Sequence, residues 1–278
     1  MRACAIPLVV LLAACVETTG PGETDAPSAL PADAADASPG SDSAPVTDAA
    51  QVQRVYAHGP LALYEVNPET FAVRLIGPFV WPAEIFNDNM TDIALDSQSK
   101  MIGISFTRLY SVDPTTAVTT YLADIGTRFN GLTFVPIGVI PGTTTETLVA
   151  VTVGGDLFRV DPMTGQTTLL GNYGPNIVSS GDLVSVTGLG TLATVVVPGV
   201  TGDWLARVDP ASGMATLIGQ TGFSAIWGVG FWGSKVYGFT SDRQFITIDV
   251  DTGQGTLVEN GGVAWWGAGV TTTALVIQ

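Results

Sequence analysis

The stretch LFRVDPMTGQTTLLG, from Leu157 to Gly171, decides the reading of this chain, because it is written five times. It appears as LYEVNPETFAVRLIG from Leu63, LYSVDPTTAVTTYLA from Leu109 and LARVDPASGMATLIG from Leu205. A looser copy, FITIDVDTGQGTLVE, starts at Phe245. Taking Asn67, Asp113, Asp161, Asp209 and Asp249 as anchors, the steps are 46, 48, 48 and 40 residues. A period of that size marks a repeat architecture.

Each copy reads as a β-hairpin. Short apolar runs flank a cluster of turn residues. The second run carries an apolar pair whose first member lies 8 residues after the anchor in every copy: Leu75, Tyr121, Leu169, Leu217 and Leu257. This constant offset sets the strand register, because a slip of one residue would exchange the two faces. In the turn, the Asp or Asn side chain accepts backbone amides just ahead of it. Pro follows in four copies and presets φ. Thr or Ser stands 3 residues after each anchor. Gly165, Gly213 and Gly253 come next, where a left-handed backbone is expected. The anchors are thus read as turn stabilisers and not as metal ligands. Even Asp249-Val-Asp-Thr-Gly253 lacks the third ligand and the distal Glu of a calcium loop.

Further strands fill the gaps. Arg54–Ala57, Met101–Ser105, Leu148–Thr152, Leu192–Val197 and Val236–Thr240 each precede a hairpin. Upstream again lie Asp92–Leu95, Leu132–Val135, Leu183–Thr187 and Trp227–Trp232. The first copy lacks such a partner, and the segment Ala264–Thr273 after the fifth copy supplies one.

With four strands per copy, the chain resembles β-propellers built from YVTN, quinoprotein-like or WD-type repeats. The resemblance covers residues 51–278. It implies an all-β, five-bladed propeller of four-stranded blades, closed by the C-terminal strand joining the first blade. Closure removes long free sheet edges. Propellers host many functions, so the resemblance carries no activity. The WD dipeptide is absent, and no partner comes with it.

The N-terminus reads as an address. Arg2 is followed by an apolar run, Ile6–Ala14, too short to span a bilayer. Leu12-Ala-Ala-Cys15 resembles a bacterial lipobox. This implies a signal peptide over residues 1–14 and a lipidated Cys15 at the head of the mature chain. Several acyl chains on one residue anchor a protein stably. Residues 15–50 read as an acidic, disordered tether rich in Ala, Pro, Ser and Asp, without Lys or Arg. The expected location is the bacterial envelope, and Val16 after Cys15 favours the outer membrane. Residues 51–278 form the propeller domain. They carry 18 acidic and nine basic side chains, a net charge of −9. That balance excludes nucleic acid as a partner. An envelope protein or a glycan is the expected partner of a monomeric chain.

Groups for chemistry are scarce. Only 13% of the 278 residues are charged, and the two cysteines, Cys4 and Cys15, both precede the repeats. The single histidine, His58, falls in an expected loop of the first blade, where a solvated side chain is the plain reading. No nucleophile elbow or phosphate loop is present, no catalytic or metal-binding residue is assigned, and no cofactor is implied. Candidate binding residues come from the loops that enter the innermost strands: Asn87, Asp88, Asp92, Asn130, Asp182, Trp265 and Trp266. Tryptophans there either pack between blades or offer a stacking surface. Gly228, Gly230, Gly267 and Gly269 suit strands crowded round an axis. The expected function is a membrane-anchored, non-enzymatic binding or scaffold protein. The alternative is a glycosidase- or lactonase-like enzyme using Asp88, Asp92, Asp182 and Glu259, which would need two carboxyls about 5–10 Å apart.

Overall fold

The computed structural model describes residues 54–277. The signal segment 1–14, Cys15 and the tether 15–50 lie outside the described residues. The first hairpin phrase forms β2 (Ala62–Val66) and β3 (Val73–Pro78), preceded by β1 (Val55–His58). The second blade is β4 (Asp92–Leu95), β5 (Met101–Ile104), β6 (Arg108–Val112) and β7 (Thr119–Asp124). The third is β8 (Gly131–Val135), β9 (Thr147–Val151), β10 (Asp156–Val160) and β11 (Thr167–Asn172). The fourth is β12 (Val178–Val186), β13 (Gly190–Val196), β14 (Trp204–Val208) and β15 (Ala215–Gln220). The fifth is β16 (Ile226–Trp232), β17 (Lys235–Thr240), β18 (Gln244–Asp249) and β19 (Gly255–Asn260). The last strand, β20 (Gly267–Gly269), crosses back to pair antiparallel with β1, Tyr56 opposite Gly269. Five four-stranded antiparallel sheets result, and the innermost strands β20, β4, β8, β12 and β16 contact one another in turn around an axis. The protein is a five-bladed β-propeller closed by its C-terminal strand.

In every hairpin the anchor side chain accepts the amide two residues on, and in all but the Asp209 turn also the amide three residues on. Asn67 Oδ1 accepts the amides of Glu69 and Thr70, each at 2.9 Å. Asp161 Oδ1 accepts those of Met163 and Thr164 at 2.8 and 3.2 Å. The fourth residue after each anchor has positive φ. It is glycine at 165, 213 and 253, but Phe71 and Ala117 in the first two copies. Phe71 compensates by packing its ring against Tyr237 and Phe245 of the fifth blade.

The apolar pairs behave differently from a simple buried strand. Each outer hairpin carries a β-bulge, and the second member of each pair is the residue skipped. Leu63 pairs with Gly77 and Tyr64 with Leu75, leaving out Ile76. The same happens at Leu122, Leu170, Ile218 and Val258. The extra residue bends the strand. Leu122, Leu170 and Ile218 pack against the core, while Leu75, Tyr121, Leu169, Leu217 and Leu257 remain exposed at the rim.

The core consists of five apolar layers, each between two adjacent blades. Ile102, Ile104, Leu132 and Leu148 form part of the layer between the second and third blades. Phe239, Phe245, Val55 and Val66 belong to the layer between the fifth and the first. Each such side chain contributes about 1.5–3 kcal/mol on burial. Beyond β20, the tail runs across the face opposite the loops that enter the innermost strands. Thr187 donates its amide to Thr272 O, Gly233 to Leu275 O, and Ile277 to Gly233 O, all at 2.8 Å. Glu146 ties this tail to the second blade, accepting Thr272 Oγ1 on one oxygen and the amide and hydroxyl of Ser97 on the other.

Candidate functional site

Five equivalent positions, one on each innermost strand, form a collar round the axis: Asp92, Gly131, Asp182, Gly228 and Gly267. The residue after each one turns its amide inward. Asp92 accepts Ile93 N at 2.8 Å on Oδ1 and, from the next blade, Leu132 N at 2.6 Å on Oδ2. Asp182 accepts Leu183 N at 2.6 Å on Oδ1 and Val229 N at 2.7 Å on Oδ2. The amide of Ala268 also reaches Asp182. Two carboxyl groups therefore satisfy one amide from each of the five blades.

Glycine completes the collar for a steric reason. A Cβ at Gly228 would sit 2.6 Å from the Gly267 carbonyl carbon, and one at Gly131 would sit 2.6 Å from Gly181 O. At Gly267 it would collide with the His58 ring and the Asp92 carboxyl. Only three small residues and two inward side chains fit at this radius.

Asp92 and Asp182 are fully buried and hydrogen-bonded to each other. Burial, then repulsion by Asp182, pushes Asp92 well above the usual carboxylate range. Burial pushes Asp182 up to about 7, against the opposing pull of its hydrogen bonds. The pair holds one proton between its two carboxyl groups, as close carboxylates do when both cannot ionise.

His58 stands beside the pair, and its place differs from the sequence expectation. It is the last residue of β1 and is completely buried, not solvated, because β20 covers that strand. Its Nδ1 lies 2.9 Å from Gly59 O, and a carbonyl only accepts, so Nδ1 carries the proton. Nε2 is left 3.9 Å from Asp92 Oδ1 without a hydrogen-bond partner. Burial lowers the ring pKa to about 4, so it is neutral at physiological pH. Among the described residues, no group of three His, Cys, Asp or Glu side chains is placed to hold a metal ion. The collar carboxylates face amide N–H groups instead.

Directly above the collar is a pit of about 330 Å³. The residue before each collar position lines it: Thr91, Asn130, Gly181, Trp227 and Trp266. Phe106, Phe129, Val153 and Ser180 complete the wall. Trp227 and Trp266 meet edge to face with centroids 6.1 Å apart, and Phe106 meets Trp266 at 6.2 Å. The Arg128 guanidinium lies 5.3 Å from the Phe106 centroid, at the rim. Thr91 Oγ1 donates to Ile104 O at 3.1 Å, and Ser180 Oγ to Asp203 Oδ2 at 2.5 Å. Asn130 Oδ1 is out of water and has no partner.

The structure brings four of the seven candidate residues together. Asp92 and Asp182 form the collar, and Asn130 and Trp266 line the pit above it. Asp88 lies apart, tied to the second blade by Tyr110 Oη at 2.6 Å and Arg108 at 3.2 Å. Burial raises its pKa, but these bonds, with others from Ser105 and the Asn89 amide, outweigh that and hold it below the usual range. Asn87, beside it, is exposed with φ of 52°. Trp265 faces the other way, buried against Tyr64 and Phe239 between the first and fifth blades. Phe106 and Phe129 were not among the candidates. Phe129 adjoins Asn130 in a loop entering β8, and Phe106 lies in the β5–β6 loop. Aligning the innermost strands on their collar residue exposes the five-fold set of lining positions, and that alignment was the available signal.

No protein-family model matches the chain, and no curated protein matches it. Among solved structures it is similar to a chain of the "Crystal structure of Nidogen/Laminin Complex". That match has 10% identity and a TM-score of 0.49 over 80% of this chain and 100% of that one. It is also similar to a chain from "The de novo evolutionary emergence of a symmetrical protein is shaped by folding constraints". There the identity is 16% and the TM-score 0.50, over 81% of this chain and 100% of that one. At these identities the likeness concerns the fold alone.

Proposed function

We propose that the chain is a lipid-anchored binding protein of a bacterial envelope, displayed from Cys15 on the acidic tether and binding at the mouth of its propeller. The observation that carries this reading is the aromatic pit standing over a saturated collar. The pit offers contact surface, with Trp227 and Trp266 as rigid apolar walls. Beneath it, every collar amide is already taken by a carboxyl. The LAAC motif at 12–15 supports the anchor, and Val16 supports the outer membrane.

A hydrolytic reading has less behind it. Asp92 and Asp182 touch each other, where glycosidase carboxyls stand about 5–10 Å apart. Asp88 is held by Tyr110 and Arg108, and Glu259 is exposed on the outermost strand of the fifth blade.

The test is a thermal-shift screen of the full chain against envelope glycans, lactones and aromatic metabolites, beside Trp266→Ala. A ligand that binds only the folded state raises its melting temperature. The expected result is a shift in the parent chain that Trp266→Ala loses. A shift that Trp266→Ala retains while Asp182→Asn abolishes it, with turnover of the compound, would replace binding at the mouth by catalysis at the collar. Membrane retention lost on Cys15→Ala tests the anchor separately.

A further inference from the structure

We infer that the pit receives a single aromatic ring carrying a carboxylate, with the ring inward and Arg128 at the rim as the partner of the anion. This rests on the mouth being the binding surface. Two independent observations carry it, one from the wall and one from the rim.

The wall is apolar and uncharged. Phe106, Phe129, Val153, Trp227 and Trp266 make up most of it, and none of the nine lining residues is ionisable. Aromatic walls meet a flat ring by edge-to-face or offset contact. The volume of about 330 Å³ is at the small end for ligand pockets, which suits a one-ring compound. A charge drawn into this wall would lose its water without gaining a counter-ion. Below it, the Asp92–Asp182 pair keeps one negative charge, and the collar amides are spent on that pair. An anionic ligand group is therefore turned outward, away from the collar.

The rim supplies the partner. Arg128 directly precedes Phe129 and Asn130, which both line the pit. Its guanidinium lies 5.3 Å from the centroid of Phe106, a third lining residue. The exposed side chain is thus held at the edge of the pit. Among the described residues it makes no ion pair, unlike Arg54, Arg74 and Arg108. A guanidinium held over a ring keeps its fork of N–H donors for a carboxylate. An organic cation would find the same aromatic walls but would meet a like charge at Arg128.

The experiment is calorimetric titration of the full chain with phenylacetate, phenylacetamide and benzylammonium, which share the ring and differ in charge. Phenylacetate is expected to bind about fivefold more tightly than phenylacetamide, the upper scale of an exposed ion pair. Benzylammonium should bind more weakly than either. Arg128→Gln should bring the acid and the amide to within about twofold. Salt at about 1 M should do the same in the parent chain, by screening. Trp266→Ala should weaken both, and melting curves establish that each variant is folded. Equal affinity of the parent chain for acid and amide, or a preference for the acid that Arg128→Gln keeps, would overturn the pairing with Arg128. If Trp266→Ala still weakened binding in that case, the mouth would stand as the binding surface. Tightest binding of benzylammonium would assign the pit to cations and overturn the carboxylate. No Trp266-dependent binding of any of the three would overturn the pit as a ligand site, and with it the reading on which this inference rests.

Discussion

Asp92 and Asp182, from innermost strands with one blade between them, hydrogen-bond to each other on the propeller axis and share the inward amides of all five blades. A ring of backbone donors pointing at one axis favours negative charge, and two carboxyl groups with one proton supply it. The carboxyls that sequence reading offers as catalytic candidates thereby acquire a structural role.

Two buried groups should give opposing pH dependences over one shared range, about 4 to 7, and offset each other in the parent chain. The unfolded chain protonates His58 below about pH 6.5, whereas the folded chain resists until about 4. Stability from this group is gained as pH rises through that window, about 3 kcal/mol in all. The axial pair acts in reverse. The folded pair keeps a proton that the unfolded chain releases near pH 4, so stability falls as pH rises towards the raised value of about 7 at Asp182. Relative to the parent profile of melting temperature against pH, His58→Gln should lose a rising contribution and Asp182→Asn a falling one. Identical profiles for the two variants would refute the assignment.

Gly228→Ala should cost at least about 3 kcal/mol, because its Cβ meets backbone that cannot step aside. The nearest atoms are the Gly267 carbonyl carbon at 2.6 Å and Ala268 N at 2.9 Å. Gly126→Ala, with nothing within 4 Å, should change stability by less than about 0.5 kcal/mol. Urea unfolding of both variants makes the comparison, and equal losses would contradict the crowded collar.

Truncation separates the two roles of the C-terminal segment. Ending the chain at Val270 removes the tail bonds to Thr187 and Gly233 and should lower stability by about 3 kcal/mol while leaving a folded ring. Ending it at Asn260 removes β20 and leaves β1 without its inner partner. Circular dichroism should then show no cooperative melting. A cooperative transition in the shorter chain would mean that β20 is not the closing strand.

The hairpin turns should be indifferent to calcium. Asp161 Oδ1 is occupied by two amides, and the same bonds, with Met163 N foremost, hold its pKa below the usual range. Asp161→Ala should cost about 1 kcal/mol. Added calcium should leave the melting temperature of the parent chain unchanged, and a rise reversed by chelator would point to ligation instead.

The five anchors and their constant offset made the hairpins legible, since turn chemistry and register are local properties. The closing strand was legible because Ala264–Thr273 had no other place in the repeat. The bulges were not, because a pair such as Leu75-Ile76 gives no sign of which residue is skipped. His58 was misplaced for a similar reason: its burial depends on β20, more than 200 residues away in the chain. Asp92 and Asp182 could be read as near the mouth, but their pairing requires all five innermost strands to be in place. Asn130 and Trp266 stand next to the collar in the loops entering innermost strands, where the sequence put them, and the pit they line there was not foreseen. Phe106 and Phe129 were hidden among loop residues that carry no periodic signal.

The most direct test of the mouth as the binding surface is the affinity of one aromatic probe, indole, for three folded chains: the parent, Trp266→Ala and Asp182→Asn. Trp266→Ala should lose about tenfold or more, from lost aromatic contact and apolar area. Asp182→Asn should stay within about twofold, because the collar lies beneath the pit and makes no contact with the ring. Loss of affinity in Asp182→Asn with none in Trp266→Ala would contradict the account and move the site to the axial carboxyls.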